Sequence, residues 1–327
     1  MDLVLAPMQG LTEVLFRRVY EDCFPDAFDR AVSPFLSLTH GDPDGLGVKL
    51  DDILPKNNAG AMPVVPQLLG NDPRTFVALA NRIFNLGYEE VNWNLGCPVK
   101  RVAHRRRGSG LLPYPSEIDR ILEAVVPRMK PRLSVKIRLG YNSKEEIYPL
   151  IPVLNKYPLA SVTLHPRIGK QMYTGVADVE AFGNVFPLMT HPVVYNGDIA
   201  TADDYENIAA NFPALAGVMI GRGVFRNPLL PLEIKRRYEN RPAMHCPLLH
   251  VSNAKTAIES DEKRKLMLKL LDAIETHSPS HDWQCRKAKE YWALLADAYH
   301  VDNDRKRSVL HCKSFSDIRR KIIDAIQ

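Results

Sequence analysis

The sequence predicts an α/β fold, a TIM (β/α)8 barrel followed by a small C-terminal all-helical domain. Short apolar runs alternate with helix-like stretches, and several runs lack polar alternation, as expected for parallel strands buried on both faces. After residue 240 the pattern changes to amphipathic segments rich in Lys, Arg, Leu and Ala. The eight candidate strands are residues 3–6, 31–38, 64–69, 91–95, 133–139, 161–164, 192–195 and 217–220.

Helix signals lie between the runs. Residues 74–86 have apolar side chains at helical spacing and stop at Gly87, a favourable residue after a helix end. Residues 116–126 begin with Ser116, a candidate N-cap, and stop before Pro127. Strand and helix therefore alternate along this part of the chain, which favours a barrel over a doubly wound sheet.

Two further segments complete the barrel prediction. Residues 203–210 follow Thr201, a candidate N-cap, and predict a helix. Residues 41–60 are rich in Gly, Pro, Asp and Asn, and they predict an elaborated loop that interrupts the alternation.

The C-terminal part of the chain is predicted to be a separate helical domain. Residues 241–247 have the composition of a linker, so we expect a barrel domain over 1–240 and a helical domain over 245–327. From Leu229 onwards the chain has 19 of its 43 Lys and Arg residues but only 14 of its 38 Asp and Glu residues. This basic excess suggests a polyanionic partner, although a solvated helical surface would explain it as well. The predicted helices are 262–274, 283–299 and 315–326.

Composition excludes several classes of protein. Apolar residues make up 45% and charged residues 25% of the chain, which is typical of a globular protein with a sizeable core. No apolar run approaches the length of a membrane helix, and the N-terminus has no basic region typical of a signal peptide. We therefore expect a cytoplasmic protein that has no membrane partner, and we expect a monomer.

The cysteines argue against a disulfide framework or a structural zinc site. Their number is odd, their spacing is wide, and no CxxC occurs. We expect no bound metal. The five cysteines are Cys23, Cys97, Cys246, Cys285 and Cys312.

Polar groups cluster where the apolar runs stop, which in this kind of barrel is the rim that forms the active site. The last two runs are followed by Asn196-Gly197-Asp198 and Gly221-Arg222-Gly223, where barrels commonly bind phosphate through backbone N–H groups. Arg222 can pair with a phosphate, and glycine permits close approach of the backbone. Lys136 lies within a strand-like run, so its side chain should face the site.

Cys97 is the candidate catalytic acid. It lies between Gly96 and Pro98 in a turn that directly follows a predicted strand, so it should face the active-site rim. An unperturbed thiol is mostly protonated at neutral pH and can serve as a general acid. The competing interpretation is a small buried apolar residue, the usual fate of a free cysteine. The other cysteines are expected to be structural.

A basic cluster follows this turn. Five of the eight residues in 100–107 are Lys or Arg, and such a cluster beside an active site suits contacts with phosphate backbones. A solvated loop is the alternative interpretation. The five are Lys100, Arg101, Arg105, Arg106 and Arg107.

With these residues in hand, the sequence resembles the tRNA-dihydrouridine synthase family over residues 3–228. The shared motifs are LAPMQG at 5–10, QLLG at 67–70, NLGCPVKRV with GSGLL within 94–112, VKIRLG at 135–140, HPR with QMYTGVAD within 165–178, NGDI at 196–199 and MIGRGVFRNP at 219–228. The family usually has His-Gly-Arg-Thr where this chain has His165-Pro166-Arg167-Ile168, and Trp93 stands where a smaller residue is expected. Beyond residue 240, Arg286 and Lys289 are the best matches to a family-like RxxK.

The resemblance implies a barrel that holds FMN and a C-terminal helical domain that binds tRNA, with NADPH as the reductant. The implied reaction reduces the C5=C6 bond of uridine, with hydride passing from FMN N5 to C6 and a proton from Cys97 to C5. The implied cofactor-binding residues are Pro7, Met8, Gln9, Gln67, Lys136, His165, Asn196, Gly197, Asp198, Gly221 and Arg222. The residues expected to bind substrate are Asn94, Lys100, Arg101, Arg105, Arg106, Arg107, Arg138, Arg167, Arg286 and Lys289.

Two rival functions remain open from the sequence. One is an FMN-dependent dihydropyrimidine or dihydroorotate oxidoreductase that acts on a free base and has no need of the basic loop or the helical tail. The other is a non-enzymatic RNA-binding protein on a degenerate barrel, which would bind no flavin.

Overall fold

The computed structural model describes residues 1–38, 47–238 and 252–327. Within these ranges ten strands form one parallel sheet in the order β3-β5-β6-β7-β8-β9-β10-β1-β2-β4. They are β1 Asp2–Leu5, β2 Arg30–Val32, β3 Leu36–Ser37, β4 Val64–Val65, β5 Gln67–Leu69, β6 Glu90–Leu95, β7 Arg132–Gly140, β8 Val162–Ile168, β9 Val193–Tyr195 and β10 Gly217–Ile220.

The ten strands close into the predicted TIM barrel. They occupy only eight positions (staves) around it, because two of these positions each hold two short strands. The second stave consists of β2 and β3, and the third consists of β4 and β5. Pro66, which has no N–H for the ladder, separates β4 from β5. Across this break, the Ser33 hydroxyl accepts a bond of 3.1 Å from the Gln67 N–H, so the two staves stay in contact.

The helices of the barrel part follow the strands on the outside. They are α1 Val14–Cys23, α2 Pro55–Asn58, α3 Pro73–Phe84, α4 Lys100–Ala103, α5 Pro115–Val125, α6 Ile147–Asn155, α7 Val179–Val185, α8 Ala202–Asn211, α9 Arg222–Arg226 and α10 Leu230–Tyr238. Short 3-10 turns occur at Asp51–Ile53, Gly108–Leu111, Lys144–Glu146 and Phe186–Leu188.

Local sequence explains most of the helix starts. Thr201 caps α8 in a capping box with Asp204, as its position predicts. The prediction that Ser116 caps α5 is wrong: Pro115 occupies the first helical turn, which its fixed φ favours, and Tyr114 precedes it as the cap residue without a side-chain bond. The predicted loop over 41–60 is described from residue 47 onwards and contains the Asp51–Ile53 turn and α2.

The C-terminal helices form the predicted helical domain. They are α11 Ser252–His277, α12 His281–Leu295, α13 Asn303–Leu310 and α14 Phe315–Ala325, with a 3-10 turn at Ala296–Tyr299. Trp292 and Ile318 are fully buried among them. The predicted linker 241–247, Cys246 and the boundary near residues 240–245 lie outside the described residues. Within the described ranges, no helix is both long and apolar enough to cross a membrane.

Candidate active site

A cavity of about 880 Å³ opens at the carboxyl ends of the strands, where a TIM barrel forms its active site. This volume is within the range of small-molecule and cofactor sites. The structure brings fifteen of the predicted site residues to its wall: Pro7, Met8, Gln9, Asn94, Cys97, Arg101, Lys136, Arg138, His165, Arg167, Asn196, Gly197, Asp198, Gly221 and Arg222.

Cys97 is fixed by the turn that follows β6. Its backbone N–H donates a bond of 2.8 Å to the side-chain oxygen of Asn94, and its carbonyl accepts bonds of 3.0 Å from both the N–H and the hydroxyl of Ser109. Gly108 has a φ of +55°, and a Cβ there would lie 2.7 Å from the Cys97 carbonyl oxygen. The turn therefore needs glycine at 108, and it presents the thiol to the cavity.

Asn94 is oriented by a chain of side-chain hydrogen bonds across three neighbouring strands. Its amide donates to Gln67 Oε1 at 2.8 Å, Gln67 Nε2 donates to Asn92 Oδ1 at 2.8 Å, and Asn92 donates to the Ser134 hydroxyl at 3.0 Å. Gln67 is fully buried and does not line the cavity, so the structure places this predicted cofactor residue behind Asn94.

Strands β7 and β8, which follow β6 in the sheet, bring basic side chains to the cavity wall. Lys136 lies beside Asn94 in the register of β6 and β7, and Arg138 lies beside His165 in the register of β7 and β8. Burial and the neighbouring Arg138 lower the pKa of Lys136 to about 7. Burial, together with Lys136 and Arg138, holds the pKa of His165 well below its ordinary value, so the imidazole is neutral at pH 7.

Asp198 is the one carboxylate among the described residues that line the cavity, and two arginines bind it. Arg167 is almost fully buried and bonds to Asp198 Oδ2 at 2.5 Å, whereas the exposed Arg222 bonds to Oδ1 at 3.1 Å. Burial alone would raise the pKa of Asp198, but these arginines and the Ala177 N–H lower it. Arg167 also donates to His165 Nε2 at 2.9 Å and to the Gly175 carbonyl at 2.8 Å.

Glycines follow β9 and β10 at positions where a side chain would meet neighbouring atoms. A Cβ on Gly221 would lie 3.4 Å from both Ala6 Cβ and Met8 Sδ, and a Cβ on Gly197 would lie 2.8 Å from Ala177 Cβ. The surrounding charge is positive, because five arginines line the cavity against the one carboxylate of Asp198; they are Arg101, Arg138, Arg167, Arg222 and Arg226. The donor set fits an anionic, planar ligand with hydrogen-bond acceptors on its ring.

Some side chains of the basic cluster over 100–107 line the cavity or lie exposed near it, and others are bound to neighbouring parts of the protein. Arg101 lines the cavity, and Lys100 and Arg105 are exposed nearby. Arg106 pairs with Glu117 at 3.3 Å and lies 4.2 Å from the ring centre of Tyr114. Arg107 instead donates to the Leu38 carbonyl at 3.1 Å and to Asn71 at 3.3 Å, so its guanidinium braces the loop. In α12, Arg286 is exposed and Lys289 partly exposed, and neither lines the cavity.

The sequence interpretation missed some residues of the cavity wall. Tyr173 is 55% exposed and lies between Arg138 and Arg222, at 5.3 and 5.4 Å from their guanidinium carbons to its ring centre. Its only sequence signal was its place in the QMYTGVAD motif. Val176 and Arg226 likewise lie within the quoted motifs, whereas Phe35 and Leu294 have no signal that sets them apart from core or surface residues.

The fold and the cavity define a TIM-barrel protein with a thiol and a set of cations at the carboxyl ends of its strands. The family model described as dihydrouridine synthase matches residues 4–309, and the chain belongs to this family.

Among curated proteins, the probable tRNA-dihydrouridine synthase 2 of Bacillus subtilis (strain 168) is 25% identical over 344 residues, which cover 99% of this chain and 96% of the relative. The probable tRNA-dihydrouridine synthase of Staphylococcus aureus (strain COL) is 28% identical over 255 residues, 76% of each chain. Among solved structures, a morphinone reductase mutant in complex with tetrahydroNAD gives a TM-score of 0.49 at 10% identity, covering 72% of this chain and 86% of that one.

Proposed function

We propose that this protein is a tRNA-dihydrouridine synthase, which reduces the C5=C6 bond of uridines in tRNA with FMN as cofactor and NADPH as reductant. The observation that carries the proposal is that the Cys97 thiol shares one cavity with Lys136 and His165. Membership of the dihydrouridine synthase family supports it, and so do the names of the relatives. The barrel, residues 1–240, would carry out the reaction, and the helical domain, residues 245–327, would bind tRNA.

The cavity fits FMN. Pro7, Met8 and Gln9 line the cavity, and Lys136 and His165, which line it too, would hold the pyrimidine edge of the flavin. Gly197, Gly221 and Arg222 line the cavity where the phosphate would bind, and the absence of a side chain on Gly221 would allow it to approach the backbone. When bound, FMN supplies the hydride for C6 of the uracil ring.

Cys97 supplies the proton. Reduction at C6 leaves negative charge on C5 and the C4 oxygen of uracil, and C5 must then take up a proton. Burial raises the pKa of the Cys97 thiol, so it holds a proton at neutral pH and can transfer it to C5. The Cys97 N–H donates to Asn94 and the Cys97 carbonyl accepts from Ser109, and these hydrogen bonds fix the position from which the thiol acts.

The charge around the cavity suits an RNA substrate. The target base must leave its stack to reach the thiol, so the protein must hold the flanking backbone. Arg101 lines the cavity, and Lys100, Arg105, Arg106 and Arg286 are exposed and Lys289 partly exposed, so these side chains would be available to bind the RNA backbone. Arg138 and Arg167 also line the cavity, are each only 2% exposed, and would contact the base or the flavin. We therefore expect binding to weaken steeply with salt.

The proposal is tested by assaying Cys97→Ala for FMN content and for dihydrouridine formed in unmodified tRNA. We expect the variant to keep FMN while product falls by orders of magnitude. Cys312→Ala is the matched control, because Cys312 lies in the helical domain away from the cavity, and it should remain active. A wild-type protein that binds no FMN, or that reduces free uracil or orotate as readily as tRNA, would refute the proposal.

A further inference from the structure

A buried lysine of the helical domain bonds directly to the barrel. Lys287, in α12, is only 4% exposed. Its ammonium donates to the Gly10 carbonyl at 2.6 Å and to Glu13 Oε2 at 2.9 Å. It also lies 3.6 Å from Glu290 of its own helix. A buried ammonium is costly unless it is paired, so these contacts fix where the side chain lies.

The segment that Lys287 holds is the loop between β1 and α1. Pro7, Met8 and Gln9 of this loop line the cavity, and Gly10 follows them with a φ of +79°. The carbonyl of Met8 accepts bonds from the N–H groups of residues 11 and 12, so the loop is a tight turn whose far end is the Gly10 carbonyl.

Helix α12 makes one further contact with this loop and one with α1, which follows it. The Tyr291 hydroxyl donates to the Leu11 carbonyl at 3.0 Å, and the Tyr291 ring stacks on Phe16 of α1 at 5.9 Å between centres. One turn further along, Leu294 lines the cavity itself. The helical domain thus forms part of the wall of the site as well as an outer surface.

We propose that Lys287 is a positioning residue for the cofactor, which holds the β1–α1 loop in the conformation that accepts FMN. The inference rests on the proposed function, and it gives the helical domain a second role besides binding RNA. Without the lysine, the Gly10 carbonyl and Glu13 lose their shared donor, and the loop populates conformations in which Met8 and Gln9 leave the wall. Apparent affinity then falls with the fraction of molecules in the competent conformation.

Lys287→Met keeps most of the side-chain volume and removes the charge. We expect FMN to bind about tenfold more weakly to this variant, measured by quenching of flavin fluorescence. The visible circular dichroism of the flavin that remains bound should also change, because the loop lies against the ligand. Lys306→Met is the control: Lys306 also pairs with a carboxylate, Asp297 at 2.7 Å, but within the helical domain. It should bind FMN like the wild type.

Hydrogen exchange of the FMN-free protein tests, independently of the proposed function, whether Lys287 holds the β1–α1 loop in place. In Lys287→Met, amides of residues 8–14 should exchange faster than in the wild type or in Lys306→Met. Glu13→Gln removes the charge of one partner and leaves the bond to Gly10, so it should give a smaller change of the same kind, and it serves if Lys287→Met does not fold. Unchanged exchange in Lys287→Met, or in Glu13→Gln if it is the variant that folds, would show that Lys287 does not hold the β1–α1 loop. Faster exchange with unchanged FMN affinity would overturn the positioning role, whereas a wild type that binds no FMN would refute the proposed function and leave the exchange result standing.

Discussion

The side-chain oxygen of Asn94 accepts a hydrogen bond of 2.8 Å from the backbone N–H of Cys97. The same oxygen accepts a second bond, at 3.1 Å, from the N–H of Gly96. One amide therefore satisfies both N–H groups of the turn, and Gln67 fixes the orientation of that amide from behind. The position of the thiol thus depends on a residue that need not itself touch the reacting atoms.

Asn94→Ala should loosen this turn while leaving the cations of the cavity in place. Two N–H groups lose their acceptor, and a displacement of the proton donor by about 1 Å can cost about 100-fold in rate. We expect FMN binding to be kept and dihydrouridine formation to fall by about that factor. Alkylation of Cys97 in the absence of tRNA should change in rate, which separates this effect from any contact between Asn94 and the base.

Asn94→Asp is the matched control for that variant. It keeps the oxygen that accepts the two N–H bonds and loses only the donor to Gln67, so it should alter Cys97 alkylation much less. Equal effects of Ala and Asp would show that the turn does not depend on this acceptor.

The rate at which uridine in tRNA is reduced should depend on pH through the ionisation of the Cys97 thiol. Burial raises the pKa of Cys97 above its ordinary value of 9.0, and a general acid must hold its proton to act. The rate of product formation from protein with reduced flavin should therefore decline only at alkaline pH, above that value. Single-turnover rates measured across the pH range would locate the decline. In Cys97→Ser the hydroxyl stays protonated, so the alkaline decline should be absent; a decline of the same shape in both proteins would assign it to another group.

The positions of these chemical groups could be predicted because of the physical constraints on barrel strands. A strand buried on both faces must be apolar, so a lysine within such a run, Lys136, stands out as facing a cavity. The same reasoning predicts that the turn after β6 brings Cys97 to the rim. The structure places both side chains on the wall of one cavity.

Other features could not be predicted because they depend on contacts between distant segments. The motif with Arg167 does not reveal that its guanidinium is buried against Asp198, since that pair joins residues 31 positions apart. Likewise, three basic residues follow Cys285 closely in α12, and the sequence pointed to Arg286 and Lys289. Only the packing of α12 on the β1–α1 loop shows that the intervening Lys287 faces the barrel.

Arg167 and Arg222 bind the same carboxylate but should contribute differently to stability. Arg167 is 1% exposed at its side chain, and Arg167→Met would leave His165 and the Gly175 carbonyl without this donor and Asp198 Oδ2 with only the Ala177 N–H. Each buried polar group that loses its hydrogen-bond partner costs about 1–3 kcal/mol, so this variant should be clearly destabilised. Arg222 is 42% exposed, so Arg222→Met should cost about 0–1 kcal/mol. Urea unfolding of the FMN-free proteins measures both values.

Binding of FMN should separate the same two variants in another way. Arg222→Met should weaken FMN because it removes the proposed phosphate contact, although the protein stays stable. Similar losses of stability in both variants would contradict the conclusion that the buried Arg167 contributes more to stability than the exposed Arg222.

Gly108→Ala should displace the thiol, and Gly87→Ala provides its control. Both glycines have positive φ, +55° and +99°, so alanine at either position strains the backbone by roughly 1–2 kcal/mol. They differ in space: a Cβ at 108 would lie 2.7 Å from the Cys97 carbonyl oxygen and 2.9 Å from Cys97 Cβ, whereas none of the other atoms lies within 4 Å of a Cβ at 87. We therefore expect Gly87→Ala to lower stability by that amount and to leave dihydrouridine formation unchanged. Gly108→Ala should lower stability further, alter the alkylation rate of Cys97 and reduce product formation by at least about tenfold. Wild-type alkylation and activity in Gly108→Ala would mean that the turn accommodates the methyl group without moving Cys97.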